Sequence, residues 1–162
     1  MVFTPMETAL ILHNIRSVHN AGSIFRTADG AGISRIILSG YTPTPIDRFN
    51  MPRKDFAKVS LGAEQTIPWQ QTKTFAQAVK ILKKENYFIA AIEQDKKSTP
   101  LFSFKPPKDR PLALVLGNEV LGVSKASLKL CDAILEIPMH GKKESLNVSV
   151  TAGIAMFSVV HK

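Results

Sequence analysis

The chain carries one cysteine, Cys131, among 162 residues. One thiol forms no intrachain disulfide and no cysteine metal cluster, which fits a reducing compartment. The four histidines, His13, His19, His140 and His161, stand at no metal-ligand spacing with carboxylates or with the cysteine. No apolar run approaches the roughly 20 residues that cross a bilayer. The first twelve residues show no charged stretch followed by an apolar one, so no signal peptide is read. Glycine fingerprints are missing too. No G-x-G-x-x-G follows a strand, since Gly30-Ala31-Gly32 lacks the third glycine. There is no Walker A loop and no G-x-S-x-G elbow. These absences count against metallohydrolases, P-loop NTPases and nicotinamide-dependent oxidoreductases.

What is present is positive charge. Lys and Arg number 21 against 13 Asp and Glu, a formal net charge of +8. Such an excess favours polyanionic partners, nucleic acid first. The hydrophobic fraction is 44%, enough for a folded state. The length fits one domain over residues 1–162. The expectation is a basic, cytoplasmic protein with no membrane segment.

Short apolar runs alternate with helical patterns. Ala9–Leu12, Arg35–Leu38, Tyr87–Ile92, Leu112–Leu116 and Ala133–Ile137 read as strands, and Thr66–Trp69 as a further short one. Asn20–Ala31, Pro52–Ser60, Phe75–Lys84, Val123–Leu130 and Leu146–Val160 read as helices. Thr74 is placed to cap the third of these. Leu146, Val150, Ile154 and Phe157 share one face of the last. Asp95–Arg110, with three prolines, reads as a loop. Strands apolar throughout and separated by helices imply a mostly parallel sheet covered on both faces, an α/β fold. Such sheets bind ligands beyond the carboxyl ends of their strands, which points to Gly40, Glu93, Gly117–Glu119 and 138–147.

Three polar clusters lie at such places. The first holds Arg16, Asn20 and Arg26 where a strand opens into a helix. Asn20 suits an N-cap, and Arg26 stands three residues before Asp29, so a surface ion pair is the plainer reading. The second is Gly117-Asn118-Glu119 with Gly122, where a strand stops at glycine. An ordinary turn explains it equally well. The third runs from Ile137, Pro138 and Met139 through Lys142, Lys143 and Ser145-Leu146-Asn147. Ser145 reads as the helix cap there, which leaves Asn147 inside the first turn, where asparagine is a poor helix former.

In this order the clusters resemble the three motifs of the SpoU (TrmH) family of the SPOUT superfamily of RNA methyltransferases. Asn20 and Arg26 match motif one, Leu116–Glu119 through Gly122 motif two, and Ile137–Met139 through Ser145–Ser149 motif three. The resemblance implies S-adenosylmethionine as cofactor and a ribose 2′-hydroxyl of tRNA or rRNA as methyl acceptor. It implies a C-terminal deep trefoil knot, which general topology rules disfavour, and a homodimer with sites drawn from both chains. It implies Gly117, Ile137, Met139 and Leu146 at the cofactor, and Arg26, Asn20, Glu119, Ser145 and Asn147 at the reaction centre. A guanidinium stays protonated at neutral pH. Arg26 therefore stabilises a developing alkoxide more easily than it acts as base. No metal is called for. Arg16, Arg48, Arg53, Lys54, Lys58, Lys142 and Lys143 are the candidate phosphate contacts, and their sum predicts salt-sensitive RNA binding. Little precedes Glu7 and little follows Val160, so the expectation is a minimal catalytic domain. That leaves the target nucleotide open and leaves room for a helper protein. The alternatives are a non-catalytic RNA-binding module on the same fold and an RNA base methyltransferase.

Overall fold

The computed structural model describes residues 6–162. In chain order the elements are β1 (Thr8–His13), α1 (Val18–Ala31), β2 (Arg35–Ser39), α2 (Lys54–Ser60), α3 (Ala63–Thr66) and β3 (Trp69–Thr72). There follow α4 (Phe75–Lys84), β4 (Phe88–Ile92), β5 (Thr99–Pro100), β6 (Leu112–Leu116), α5 (Lys125–Leu128), β7 (Ala133–Glu136) and α6 (Val148–Val160). The strands form one sheet of order β3-β2-β1-β6-β4-β7-β5. Every pairing in it is parallel.

Side chains alternate across the sheet, as the strand repeat of two requires. Leu10, Leu12, Leu38, Leu114 and Leu116 join Ile24, Phe25, Phe56, Ala152 and Met156 in one core, under α1, α2 and α6. Ala9, Ile11, Ile37, Ala113 and Val115 join Phe75, Val79, Leu82 and Leu128 in a second core, under α4 and α5. Helices thus cover both faces, and central strands buried on both sides need the continuous apolar runs seen in the sequence.

The best-formed helix is also the one with the clearest sequence pattern. Thr74 accepts from the Gln77 N–H, and the Gln77 side chain returns the bond to the Thr74 N–H, a complete capping box. Elsewhere the structure shifts the expected boundaries. Ser17, not Asn20, caps α1, so Asn20 falls within its first turn. The strand expected at 66–69 starts at Trp69, because 63–66 closes a helical turn first. The 95–110 loop includes β5 and a 3₁₀ turn at Leu101–Ser103. Asn147, not Ser145, caps α6, which removes the puzzle of a helical asparagine.

α6 also turns a different face inward. Val148, Ala152, Ala155, Met156 and Val159 are buried, while Val150 and Phe157 are 50% and 43% exposed. The helix is apolar almost all round, so periodicity alone selects no face. Small Ala152 and Ala155 settle the matter by letting α6 approach the sheet and α1. At Gly153 an added methyl would sit 3.5 Å from the Thr27 side chain of α1.

Candidate active site

All strands point the same way, so the loops after β1, β4, β6 and β7 emerge at one edge. After β1 the chain turns to β2 on one side, while the other neighbour of β1 is β6. The crevice of an open parallel sheet lies where the strand order reverses in this way. The loop after β6 meets the loop after β1 at that point.

Glu119 makes the junction. Its carboxylate accepts from the Arg16 N–H at 2.9 Å, the Ser17 N–H at 3.1 Å and Asn20 Nδ2 at 3.0 Å. The two backbone N–H groups lie at the positive end of α1, where an anion is stabilised, and the third donor is a side-chain amide. Burial pushes the Glu119 carboxyl up, but the bonds from Arg16, Asn20 and Ser17 outweigh it and hold it below the ordinary carboxylate range. Glu119 is therefore a fixed anion at neutral pH. Asn20 continues the link, its Oδ1 accepting from Asn147 Nδ2 at 3.3 Å. Asn147 Oδ1 in turn accepts from the Ser149 N–H at 2.8 Å and caps α6. One residue from each of the three sequence clusters thus stands in a single hydrogen-bonded line.

Beside this line lies a cavity of about 230 Å³ walled by the loops after β4, β6 and β7. Gly117, Glu119, Ile137, Met139, Ser145 and Leu146 all line it. Gly117 is required by the chain itself. A Cβ there would lie 2.7 Å from the Val123 side chain and 2.8 Å from the Gly122 backbone. Asn118 shapes the loop, its Oδ1 accepting from the Val120 and Leu121 N–H groups at 2.9 and 2.8 Å. Four carboxylates line the cavity, Glu93, Glu119, Glu136 and Glu144, and no Lys, Arg or His does. Among the described residues none of the four is in an ion pair. Glu93 stands where the strand-end rule pointed. Glu136 and Glu144 were not singled out from the sequence, although the first ends a strand and the second lies in the third cluster.

Arg26 is not brought to this cavity. It is exposed on α1 and borders a separate hollow with Asp29, Ser60, Leu61, Gly62 and Thr66. The plain ion pair with Asp29 is also absent, since Asp29 accepts instead from Thr66 Oγ1 at 2.9 Å. Of the candidate phosphate contacts, Arg16, Arg48, Lys54, Lys58, Lys142 and Lys143 are exposed. Arg53 is engaged by Asp55 through two bonds of 3.1 and 2.8 Å.

The fold and cavity define an α/β protein with a strand-edge site built from three separated loops. The model of the SpoU rRNA Methylase family matches residues 7–157, and the chain belongs to that family. It is 33% identical over 157 residues to the 23S rRNA (guanosine-2′-O-)-methyltransferase RlmB of Pectobacterium atrosepticum, covering 97% of this chain and 61% of that one. It is 32% identical to the RlmB of Escherichia coli (strain K12), covering 94% of this chain and 59% of the relative. The AdoMet-bound rRNA methyltransferase of Sinorhizobium meliloti superposes with a TM-score of 0.83 at 28% identity, over 96% of this chain and 56% of that one. The chain thus spans about 60% of the length of the curated relatives it matches. Among the described residues no helix is long and apolar enough to cross a membrane.

Proposed function

We propose that this chain methylates a ribose 2′-hydroxyl of tRNA or rRNA with S-adenosylmethionine as methyl donor. The observation that carries the reading is the cavity lining. In a chain of net charge +8, the strand-edge cavity is lined by four glutamates and by no Lys, Arg or His. That donor set suits a cationic ligand and disfavours a phosphate-bearing nucleotide cofactor. A sulfonium cofactor supplies an electrophilic methyl group. Gly117, Ile137, Met139 and Leu146 would hold it, with Glu93 and Glu136 in the cavity wall contributing negative charge beside it.

The remaining work falls to the chain's own residues. A ribose hydroxyl is a weak nucleophile and must be positioned and relieved of its proton. Glu119, Asn20 and Asn147 act as positioning residues, because their hydrogen-bonding groups are spent on each other and on helix ends. Ser145, exposed at the cavity mouth, is free to meet the ribose. Arg26 stabilises the developing alkoxide or fixes the neighbouring phosphate. Because Arg26 lies away from the cavity of its own chain, we assign it to the cavity of a second subunit. The exposed Val150 and Phe157 on α6 supply an apolar surface for that homodimer, beside α1. The 117–122 and 137–147 loops are read as the crossings of a trefoil knot. Residues 1–162 are read as one methyltransferase domain acting in the cytoplasm, with substrate choice open to a helper protein.

The test is transfer of labelled methyl from S-adenosylmethionine into total RNA of a strain lacking the gene, followed by digestion. A ribose-methylated nucleotide at one position supports the reading, since a 2′-O-methyl blocks cleavage at that phosphodiester. A labelled base instead of a ribose, or failure to bind the cofactor, overturns it.

A further inference from the structure

A second cleft opens at the same sheet edge on the opposite side of Asn118. It is about 620 Å³ in volume, and His13, Tyr41, Lys73, Phe75 and Leu130 are among its walls. No carboxylate lines it. The two hollows therefore differ in charge: the cofactor cavity has four glutamates and no cation in its wall, while this cleft has Lys73 as its charged wall residue.

Tyr41 stands at the rim between them. It follows Gly40, whose φ of 65° lets the chain turn sharply out of β2. The Tyr41 N–H is held by Asn14 Oδ1 at 3.2 Å, and Asn118 Nδ2 donates to the Tyr41 hydroxyl at 3.0 Å. The same Asn118 nitrogen donates to the Asn14 carbonyl at 3.0 Å. Backbone and hydroxyl are thus both fixed, yet the residue is 57% exposed. A tyrosine clamped at both ends with its ring in solvent costs little further ordering on binding a flat partner. The floor is equally set. His13 Nδ1 lies 2.8 Å from Ser39 Oγ, and its ring stands 5.1 Å from that of Phe75. The α4 terminus behind Lys73 is closed by its own capping box, so the cleft offers an aromatic face and one ammonium.

We infer that Tyr41 is a substrate-positioning residue whose ring stacks against an unstacked base of the RNA, with Lys73 on the adjacent phosphate. Single-stranded RNA is held by this combination of aromatic face and cation. Asn118 ties the platform to the loop that walls the cofactor cavity, so the RNA is gripped next to the methyl donor. The inference rests on the RNA-methyltransferase reading above.

The experiment compares wild type, Tyr41→Ala, Tyr41→Phe and Lys73→Gln for binding to unmodified total tRNA and rRNA, with S-adenosylmethionine affinity measured in parallel. Losing one stacked base should weaken RNA binding by about tenfold in Tyr41→Ala. Tyr41→Phe, which keeps the ring but drops the bond to Asn118 that orders it, should bind RNA more weakly than wild type and clearly better than Tyr41→Ala. Lys73→Gln should lower the slope of log affinity against log salt by about 0.7, one single-strand phosphate contact. Cofactor affinity should stay the same in all variants. Three results overturn the inference: Tyr41→Ala binding RNA normally, Tyr41→Phe failing as badly as Tyr41→Ala, or cofactor affinity falling in step with RNA affinity. A wild type that methylates RNA while Tyr41→Ala binds normally sinks only this inference. A wild type that binds neither cofactor nor RNA sinks the enzyme reading with it.

Discussion

Glu119 gathers three donors from the start of α1, and it is the anion that such a helix end accommodates best. Replacing it with glutamine keeps the volume, removes the charge and points an amide donor at backbone donors. The variant should lose about 1.5–3 kcal/mol, the usual worth of a hydrogen bond to a charged group. The difference from wild type is read from urea midpoints. Because the folded value is held below the ordinary 4.5, the carboxylate's contribution is fully present above pH 4.5. It fades as pH falls through the lowered folded value. The two proteins should therefore converge in acid and separate at neutral pH; a gap that persists unchanged into acid would show that charge is not what Glu119 contributes. At this scale the sequence marked residues that the fold joins by hydrogen bonds, without showing how they join. Asn20 looked like a cap, yet Ser17 takes that place because its hydroxyl reaches the Asn20 N–H at 3.1 Å. That frees the Asn20 amide for Glu119 and Asn147. Nothing local marks such a choice, since the deciding partners lie 99 and 127 residues away.

At the scale of elements, α4 was legible because its cap, apolar face and lysine-bearing outer face all agree, and consistency of this kind is what specifies a helix. β3 was not, because an edge strand of sequence WQQT buries only its last residue and so lacks the apolar signature of its neighbours. α6 was half legible. Its existence followed from its composition, but its cap and buried face came from packing on α1. Asn147 does two separable things for this helix: it caps the first turn and bridges to Asn20. Asn147→Ala should lose both, costing about 1 kcal/mol of stability together with methyl transfer. Asn147→Ser should restore the cap and the stability without restoring the bridge, because the serine hydroxyl is too short to reach Asn20. Thermal unfolding and methyl incorporation on the same samples separate the two roles. A serine variant as active as wild type would make the bridge dispensable.

Across the whole molecule the charge is divided by place. The net excess of +8 sits on exposed side chains, while the strand-edge cavity is acidic. Composition showed the first fact. The second required the fold, since Glu93, Glu119, Glu136 and Glu144 come from three different strand ends and loops. RNA affinity should therefore fall with salt, and the Lys142→Gln/Lys143→Gln double variant should flatten the log–log slope by about 1.4 if both meet single-strand phosphates. Arg53→Gln should change the slope little, because Asp55 already holds that guanidinium. Titrations at several salt concentrations distinguish the two variants.

Arg26 poses the sharpest question at this scale, since it matches a reaction-centre motif yet lies outside the cavity of its own chain. A site shared between subunits answers it, and mixing inactive chains tests that answer. Arg26→Ala leaves the cavity intact. Glu136→Lys places a cation in the cavity wall and should abolish cofactor binding while leaving Arg26 in place. If Arg26 serves the partner's cavity, a heterodimer of the two variants rebuilds one complete site. Random pairing of equal amounts makes half the dimers mixed, so activity should return to about a quarter of wild type. If Arg26 serves its own chain, every cavity in the mixture lacks either its arginine or its cofactor, and the mixture stays as inactive as its parts. Val150→Asp/Phe157→Asp, charged on the exposed face of α6, should sediment as monomer and still bind S-adenosylmethionine. Added to the Arg26→Ala protein, it should rescue nothing, because the arginine must arrive across an interface these aspartates prevent from forming.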